Sequence, residues 1–359
     1  MKHRYLGESG LLVSRVCLGT MTFGTPGWGC DQAAADAITA SYLDAGGNFI
    51  DTADMYADGV SEEMLAKSLQ GRPRDGLVLA TKCWFRMPYP PGEKGHPNAK
   101  GLSRKHVVDS VEKSLKRLGA DFIDLFQLHG PDPNTPIEET LRACDDLVRA
   151  GKVRYLGCSN LFAWQMVKAN AVAELRGLAP LVSSQNLYNL LRRDIERDIL
   201  PACEAEGMGV LCWSANAGGL LTGKYDRNSG PPEGSRVGIR AKVDLPRYWN
   251  DDSFKVIDET VAVAKELGWS PVQVAVSWLL GERRVTSVIV GARTAEQIAP
   301  SLAAGAEDLP QELRDRLTDV VGFEHGYPRD WMESSFASQT GHETIEGDQG
   351  WPSWAPPLG

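Results

Sequence analysis

The sequence predicts an α/β fold: a closed (β/α)8 barrel of the TIM type, with an N-terminal β-hairpin and an irregular C-terminal tail. Three observations carry this. Eight short, continuously apolar runs recur along the chain, the pattern of parallel strands covered on both faces. Amphipathic stretches with helical spacing lie between them, as strand–helix repeats require. No glycine-rich GxGxxG turn follows the first run, where an open doubly wound sheet would carry one. A length of 359 residues suits one barrel. Residues 1–325 are read as that single domain and 326–359 as the tail.

Taken in order, 3–6 and 11–13 form the hairpin arms around the turn Gly7-Glu8-Ser9-Gly10. The predicted barrel strands are 16–19, 49–51, 77–82, 122–129, 153–157, 181–185, 209–213 and 286–290. Helices are predicted over 33–43, 62–69, 103–118, 137–148, 163–175, 195–206, 253–267 and 271–280. The third starts at a capping Ser103 and repeats Val107, Val111, Leu115 and Leu118 on one face; the fourth follows Thr135-Pro136 and stops before Gly151. Residues 225–250, rich in Gly, Pro, Arg and polar side chains, read as a long loop. So do residues 84–102, with Trp84, Phe85, Tyr89 and Pro88, Pro90, Pro91 and Pro97. That loop, with Met21, Trp28 and Met55, is expected to wall an apolar pocket. The tail has no periodicity, but its Trp331, Trp351 and Trp354 suggest that part of it packs on the barrel or on a partner.

Composition narrows the partners. A net charge of −9 disfavours nucleic acid and anionic membranes, so a small molecule is the expected partner. No apolar run approaches ~18 residues, and the N-terminus lacks an apolar stretch of signal-peptide length. The 7 Cys are odd in number and lack CxxC spacing, so they read as reduced thiols of a cytoplasmic protein. The 6 His are scattered without HExxH, and no metal site is expected. The oligomeric state is left open, a homo-oligomer included.

In a parallel barrel the C-terminal strand ends face the active site. Those ends carry Asp51, then Tyr56 five residues on, Lys82 and His129. Singly each has a plain structural role: a helix cap, a half-buried aromatic, a solvated strand end, a core histidine. Delivered together to one rim they make a site. A phenol near pKa ~10 exchanges its proton poorly at neutral pH, and a nearby ammonium lowers that pKa. Lys82 would supply the ammonium, Asp51 would orient it, and His129 would hydrogen-bond the substrate oxygen. Tyr56 then acts as general acid toward a carbonyl, and the hydride must come from a nicotinamide cofactor.

Around these residues stand Leu18-Gly19-Thr20-Met21-Thr22-Phe23-Gly24, Phe49-Ile50-Asp51-Thr52-Ala53-Asp54-Met55-Tyr56, Ala80-Thr81-Lys82 and Asp124-Leu125-Phe126-Gln127-Leu128-His129. Further on come Gly157-Cys158-Ser159-Asn160, Gln185-Asn186-Leu187-Tyr188-Asn189, Gly219-Leu220-Leu221-Thr222-Gly223-Lys224-Tyr225 and Val290-Gly291-Ala292-Arg293-Thr294-Ala295-Glu296-Gln297. In joint order and spacing, over roughly residues 3–310, the chain resembles the aldo-keto reductase superfamily. Within it, the likeness is to the bacterial, potassium-channel β-subunit-like and sugar-aldehyde-reductase-like branch. The resemblance implies a catalytic tetrad of Asp51, Tyr56, Lys82 and His129. It implies that Gly19, Thr20, Met21 and Asp51 border the cofactor, and that Ser159, Asn160 and Gln185 bind the nicotinamide carboxamide. By the same likeness Trp213 stacks on the ring, Ser214 and Lys224 meet the pyrophosphate, and Arg236 clamps it. Gly291, Arg293, Gln297 and Ser301 fall at the adenosine end. An Arg fork there favours NADPH/NADP+ over NADH. Tyr56, Trp84 and His129 would meet the substrate.

The sequence departs from the family at Trp213-Ser214-Ala215-Asn216, where a Pro is usual; at Pro300-Ser301, where Glu-Asn usually meets adenine; and at Ala57, where Gly is common. The last departure is expected to be harmless. The leading expectation is an NADPH-dependent reductase of an aldehyde, ketone or keto-sugar. A nucleotide-linked deoxysugar reductase and a cofactor-binding regulatory subunit resembling potassium-channel β subunits stay open beside it.

Overall fold

The computed structural model describes residues 1–87 and 96–332 together with Ser335. In order these form β1 (His3–Tyr5), β2 (Leu12–Ser14), β3 (Val16–Gly19), α1 (Gln32–Asp44), β4 (Phe49–Asp51), α2 (Val60–Ser68), β5 (Val78–Cys83) and α3 (Arg104–Leu118). Then come β6 (Ile123–Leu128), α4 (Ile137–Arg149), β7 (Val153–Ser159), α5 (Ala163–Arg176), β8 (Leu181–Leu187), α6 (Ile199–Ala205) and β9 (Gly209–Trp213). After these follow α7 (Arg236–Ile239), α8 (Ala241–Tyr248), α9 (Asp251–Leu267), α10 (Pro271–Leu280), β10 (Val285–Val290), α11 (Ala295–Ala304) and α12 (Gln311–Asp319). Strands β3 to β10 close into a parallel barrel in sequence order, β10 pairing back onto β3. This is the predicted (β/α)8 architecture.

Register sets the rim. Gly19 lies opposite Asp51, Lys82 opposite Gln127, and Ser159 opposite Gln185. Chemically active residues of neighbouring strands therefore stand side by side. The main core lies between barrel and helices, where α3 buries Val107, Val111, Leu115 and Leu118 as its periodicity predicts. The β1–β2 hairpin covers the opposite end, its Leu6 and Val13 joining Phe49, Leu125 and Leu211 in a second cluster. Its turn requires glycine: Gly7 has φ +59°, and a Cβ there would sit 2.3 Å from the Gly207 carbonyl oxygen.

The structure corrects the sequence reading in several places. The helix predicted over 195–206 splits into a 3-10 turn, Asp194–Glu196, and α6. Pro201 has no N–H to donate inside a longer helix, and starting at Ile199 puts it in the first turn. The predicted 225–250 loop contains α7 and α8, α7 being capped by Ser235, whose hydroxyl accepts from the Gly238 N–H. Helices α11 and α12 follow the last strand. Trp331 keeps 61% of its surface exposed. Tyr89, Pro88, Pro90 and Pro91 of the predicted wall, and Trp351 and Trp354 of the tail, lie outside the described residues. Among the described residues no helix is long and apolar enough to cross a membrane.

Candidate active site

A cavity of about 720 Å³ opens at the C-terminal strand ends. Beneath its floor, behind the lining Asp51 and Tyr56, Lys82 is fully buried. Its Nζ donates to Asp51 Oδ2 at 2.6 Å, to the Thr52 carbonyl at 2.7 Å and to Tyr56 Oη at 3.3 Å. The other Asp51 oxygen, Oδ1, accepts from Gln127 Nε2 and Gln185 Nε2, each at 2.9 Å. The carboxylate is thus saturated and cannot rotate away. A buried ion pair needs this full set of partners to offset its desolvation. Burial alone would lower the Lys82 pKa, but Asp51 and Tyr56 outweigh it and hold the ammonium above its ordinary value.

Tyr56 leaves β4 through a 3-10 turn, Tyr56–Gly59. Ala57 and Asp58 take left-handed conformations there, φ 49° and 55°. An L-residue pays roughly 1–2 kcal/mol for this, so Ala57 is a strained substitute for glycine and not a neutral one. The turn aims the phenol at Lys82. Burial pushes the Tyr56 pKa up, and Lys82 pulls only partly against it. The net direction is upward, opposite to the lowering expected from the ammonium alone. Tyr56 is therefore a firmly protonated acid.

His129 stands edge-on to Tyr56, ring centroids 5.9 Å apart, and to Phe85, 5.0 Å apart. Burial, then Lys82, hold its pKa well below the ordinary value, so the imidazole is neutral. Its buried Nδ1 has no hydrogen-bond partner within the protein. Phe85, with Met21, Trp28 and Met55, lines the cavity. Trp84 does not, which corrects the expectation that it meets substrate. Its indole donates to the Pro131 carbonyl at 2.9 Å and its ring lies on Gly130, behind Phe85.

On the facing wall Ser159 Oγ donates to the Gln185 carbonyl at 2.9 Å. Asn160, at φ 58°, donates from Nδ2 to the His129 carbonyl at 3.1 Å and accepts the Trp213 indole N–H at 3.2 Å. Asn160 thereby locks the Trp213 ring edge against the cavity. Gln185 has committed its Nε2 to Asp51 and to Gln127, so Oε1 is the atom it offers a ligand. Ser214 shares a hydrogen bond with Tyr248 at 3.1 Å. Gly19 and Gly291 are steric requirements: a Cβ on Gly19 would lie 2.6 Å from Ile289, and one on Gly291 would lie 3.2 Å from the Gly19 carbonyl oxygen. Two expected contact residues fall away from the cavity. Thr20 is buried against Ser61, hydroxyl to hydroxyl at 2.8 Å, and Ser301 is buried beside the lining Pro300.

The far end is cationic. Lys224, Arg236 and Arg293 line it as expected, and Arg240, which sequence reading missed, joins them. Burial and then Arg293 lower the Lys224 pKa; burial and then Arg240 lower that of Arg236. Like charges converge there on an acidic protein, which costs free energy until an anion fills the space. Buried and unpartnered in the same region are Arg236 Nε and Asn216 Oδ1. Gln297 Oε1 accepts from the Arg293 backbone N–H at 3.0 Å and so shapes the loop.

A barrel whose rim sets a lysine-assisted phenol beside a neutral imidazole, with an anion cradle beyond, has the layout of a nicotinamide-dependent oxidoreductase. Residues 15–321 match the aldo/keto reductase family, and the chain belongs to that family. It is an oxidoreductase by membership, in a family that generally uses nicotinamide cofactors. It is 38% identical over 326 residues to an uncharacterized oxidoreductase, YrpG, of Bacillus subtilis, covering 89% of this chain and 96% of the relative. It is 37% identical over 329 residues to a probable voltage-gated potassium channel subunit beta of Oryza sativa subsp. japonica, covering 89% and 97%. It is 34% identical over 331 residues to versiconal hemiacetal acetate reductase of Aspergillus parasiticus, covering 88% and 95%.

Proposed function

We propose that the protein is an NADPH-dependent carbonyl reductase in which Tyr56 delivers the proton. The observation that carries this is the contact of Lys82 Nζ with both Asp51 and Tyr56 on the cavity floor. The cofactor fit rests on the converging cations and the unpartnered polar atoms at the far end. Lys224, Arg236 and Arg240 would hold the pyrophosphate, and Arg293 the 2′-phosphate, whose planar, bidentate recognition favours Arg. Ser159, Asn160 and Gln185 would orient the carboxamide, with Trp213 against the ring. Bound there, the cofactor supplies a hydride equivalent.

The chain's own residues do the rest. The substrate oxygen sits between Tyr56 Oη and His129. The neutral imidazole positions it with a hydrogen bond and, being neutral, does not compete as an acid. As negative charge develops on that oxygen, the phenol gives up its proton, and the Lys82 ammonium stabilises the phenolate left behind. Asp51 keeps Lys82 charged and in place. Met21, Trp28, Met55 and Phe85 exclude water and favour aliphatic or aromatic aldehydes and ketones over keto-sugars. The test follows NADPH and NADH absorbance separately across aldehydes, ketones and keto-sugars. NADPH oxidation with apolar carbonyls is expected. Tight NADPH binding without turnover of any carbonyl would instead favour a regulatory subunit of the potassium-channel β type.

A further inference from the structure

A carboxylate stands where the anion cradle should least want one. Asp244, in the first turn of α8, is 3% exposed and lies behind Arg236 and Arg240. Arg240 Nε reaches its Oδ2 at 3.5 Å, one helical turn away. That is well outside the roughly 2.7–2.9 Å of a firm charge-assisted hydrogen bond. Oδ2 has no hydrogen-bond partner within the protein, nor has the buried Nε of Arg236 beside it. The Arg236 guanidinium is parked over the Trp28 ring, 5.2 Å from its centroid. On its other side Asp244 Oδ2 faces Gly218, where a Cβ would lie 3.4 Å from it. A buried acid with an unused oxygen, a long contact to Arg240 and an unused Nε on Arg236 make a set of partners held short of pairing.

We infer that Asp244 is a positioning residue that serves as an exchangeable counter-anion: it holds Arg240 in the cradle and yields it to the phosphates of the entering dinucleotide. The inference rests on the cofactor reading above. Its physical content is competition. Without a nearby anion the two guanidinium groups and Lys224 would repel one another and swing out toward water, whereas a fully formed ion pair would have to be broken on every binding event. A long, weakly held contact avoids both. It also leaves a negative charge beside the bound phosphates, which speeds release of the cofactor.

Asp244→Asn keeps the shape and removes the charge. NADPH and NADP+ dissociation constants, from quenching of intrinsic fluorescence, are expected to tighten by roughly threefold to tenfold, with the change in the dissociation rate. Arg240→Met is expected to weaken binding, and the Asp244→Asn, Arg240→Met double variant should bind like Arg240→Met alone, because Asp244 acts through that arginine. Stopped-flow release of NADP+ separates this from a merely structural role, which would shift the melting temperature without slowing release. Weaker or unchanged binding by Asp244→Asn, or a full tightening that survives in the double variant, overturns the inference. If the parent protein itself does not bind NADPH, the cofactor reading has failed instead. Arg240→Met alone keeps the test usable should Asp244→Asn not fold, since unchanged affinity in that variant is also contrary to exchange.

Discussion

Replacing Lys82 by Met removes one charge from the centre of the site at nearly constant volume. Lys82 Nζ lies 3.3 Å from Tyr56 Oη. At an effective dielectric of ~20, an ammonium at that distance stabilises a phenolate by about 5 kcal/mol. Burial already pushes the phenol up, and without Lys82 only the weaker influence of Arg236 is left to offset that cost. The rate should fall by the full range of a general acid, about 10²–10⁴-fold in kcat/KM. The same change strands Asp51, which keeps Gln127 and Gln185 but loses its counter-ion. Breaking a buried pair from one side costs roughly 3–5 kcal/mol of stability. Thermal melting and steady-state NADPH oxidation would be measured on Lys82→Met and on Lys82→Met, Asp51→Asn together. The double variant should regain most of the stability, because no buried charge is left alone, yet regain none of the activity. If Lys82→Met turns over a good carbonyl within a few fold of the parent, or if the double variant recovers rate along with stability, the ammonium does not assist Tyr56.

Arg293→Ala should weaken NADPH by about ten- to a hundredfold and NADH hardly at all, read by fluorescence titration; equal weakening of both would assign the 2′-phosphate elsewhere. The pH dependence of reduction follows from two shifts. Tyr56 is raised above its ordinary value, so the acid form persists through neutral and moderately alkaline pH, and activity should fall only as the medium passes above ~10. His129 is held well below its ordinary value, so kcat/KM should show no break near ~6.5; a break there would mean that His129 titrates in the working range.

The barrel and its four central residues are legible in the sequence because both rest on short-range pattern. Apolar runs mark β4, β5 and β6, and the polar residue at or just past each run falls on the rim by geometry alone. What is not legible depends on which way a side chain faces. Trp84 and Phe85 are neighbours in a loop, and only the packing of Trp84 on Gly130 hands the wall to Phe85. Thr20 turns inward to a buried hydrogen bond with Ser61, and Ser301 is buried, neither announced by a local signal. Gln127 lies inside an apolar strand run, yet supplies Asp51 with a donor from two strands away, across β5. Arg240 and Asp244 have the four-residue spacing of a helical ion pair, but Gly, Pro and the internal Pro246 disguise α7 and α8 as loop. The direction of the Tyr56 shift runs against the sequence expectation because burial, the larger influence, cannot be read from residue identity.

The central claim is that the Tyr56 hydroxyl is the proton donor, and Tyr56→Phe tests it with the loss of one oxygen atom. The ring remains, so the 3-10 turn and its contact with His129 should persist. NADPH titration and carbonyl-dependent NADPH oxidation would be measured on the same preparation. The account predicts NADPH affinity within about twofold of the parent and kcat lower by about 10²–10⁴-fold. Parent-like affinity together with a rate within a few fold of the parent would contradict it, making Tyr56 a wall of the pocket.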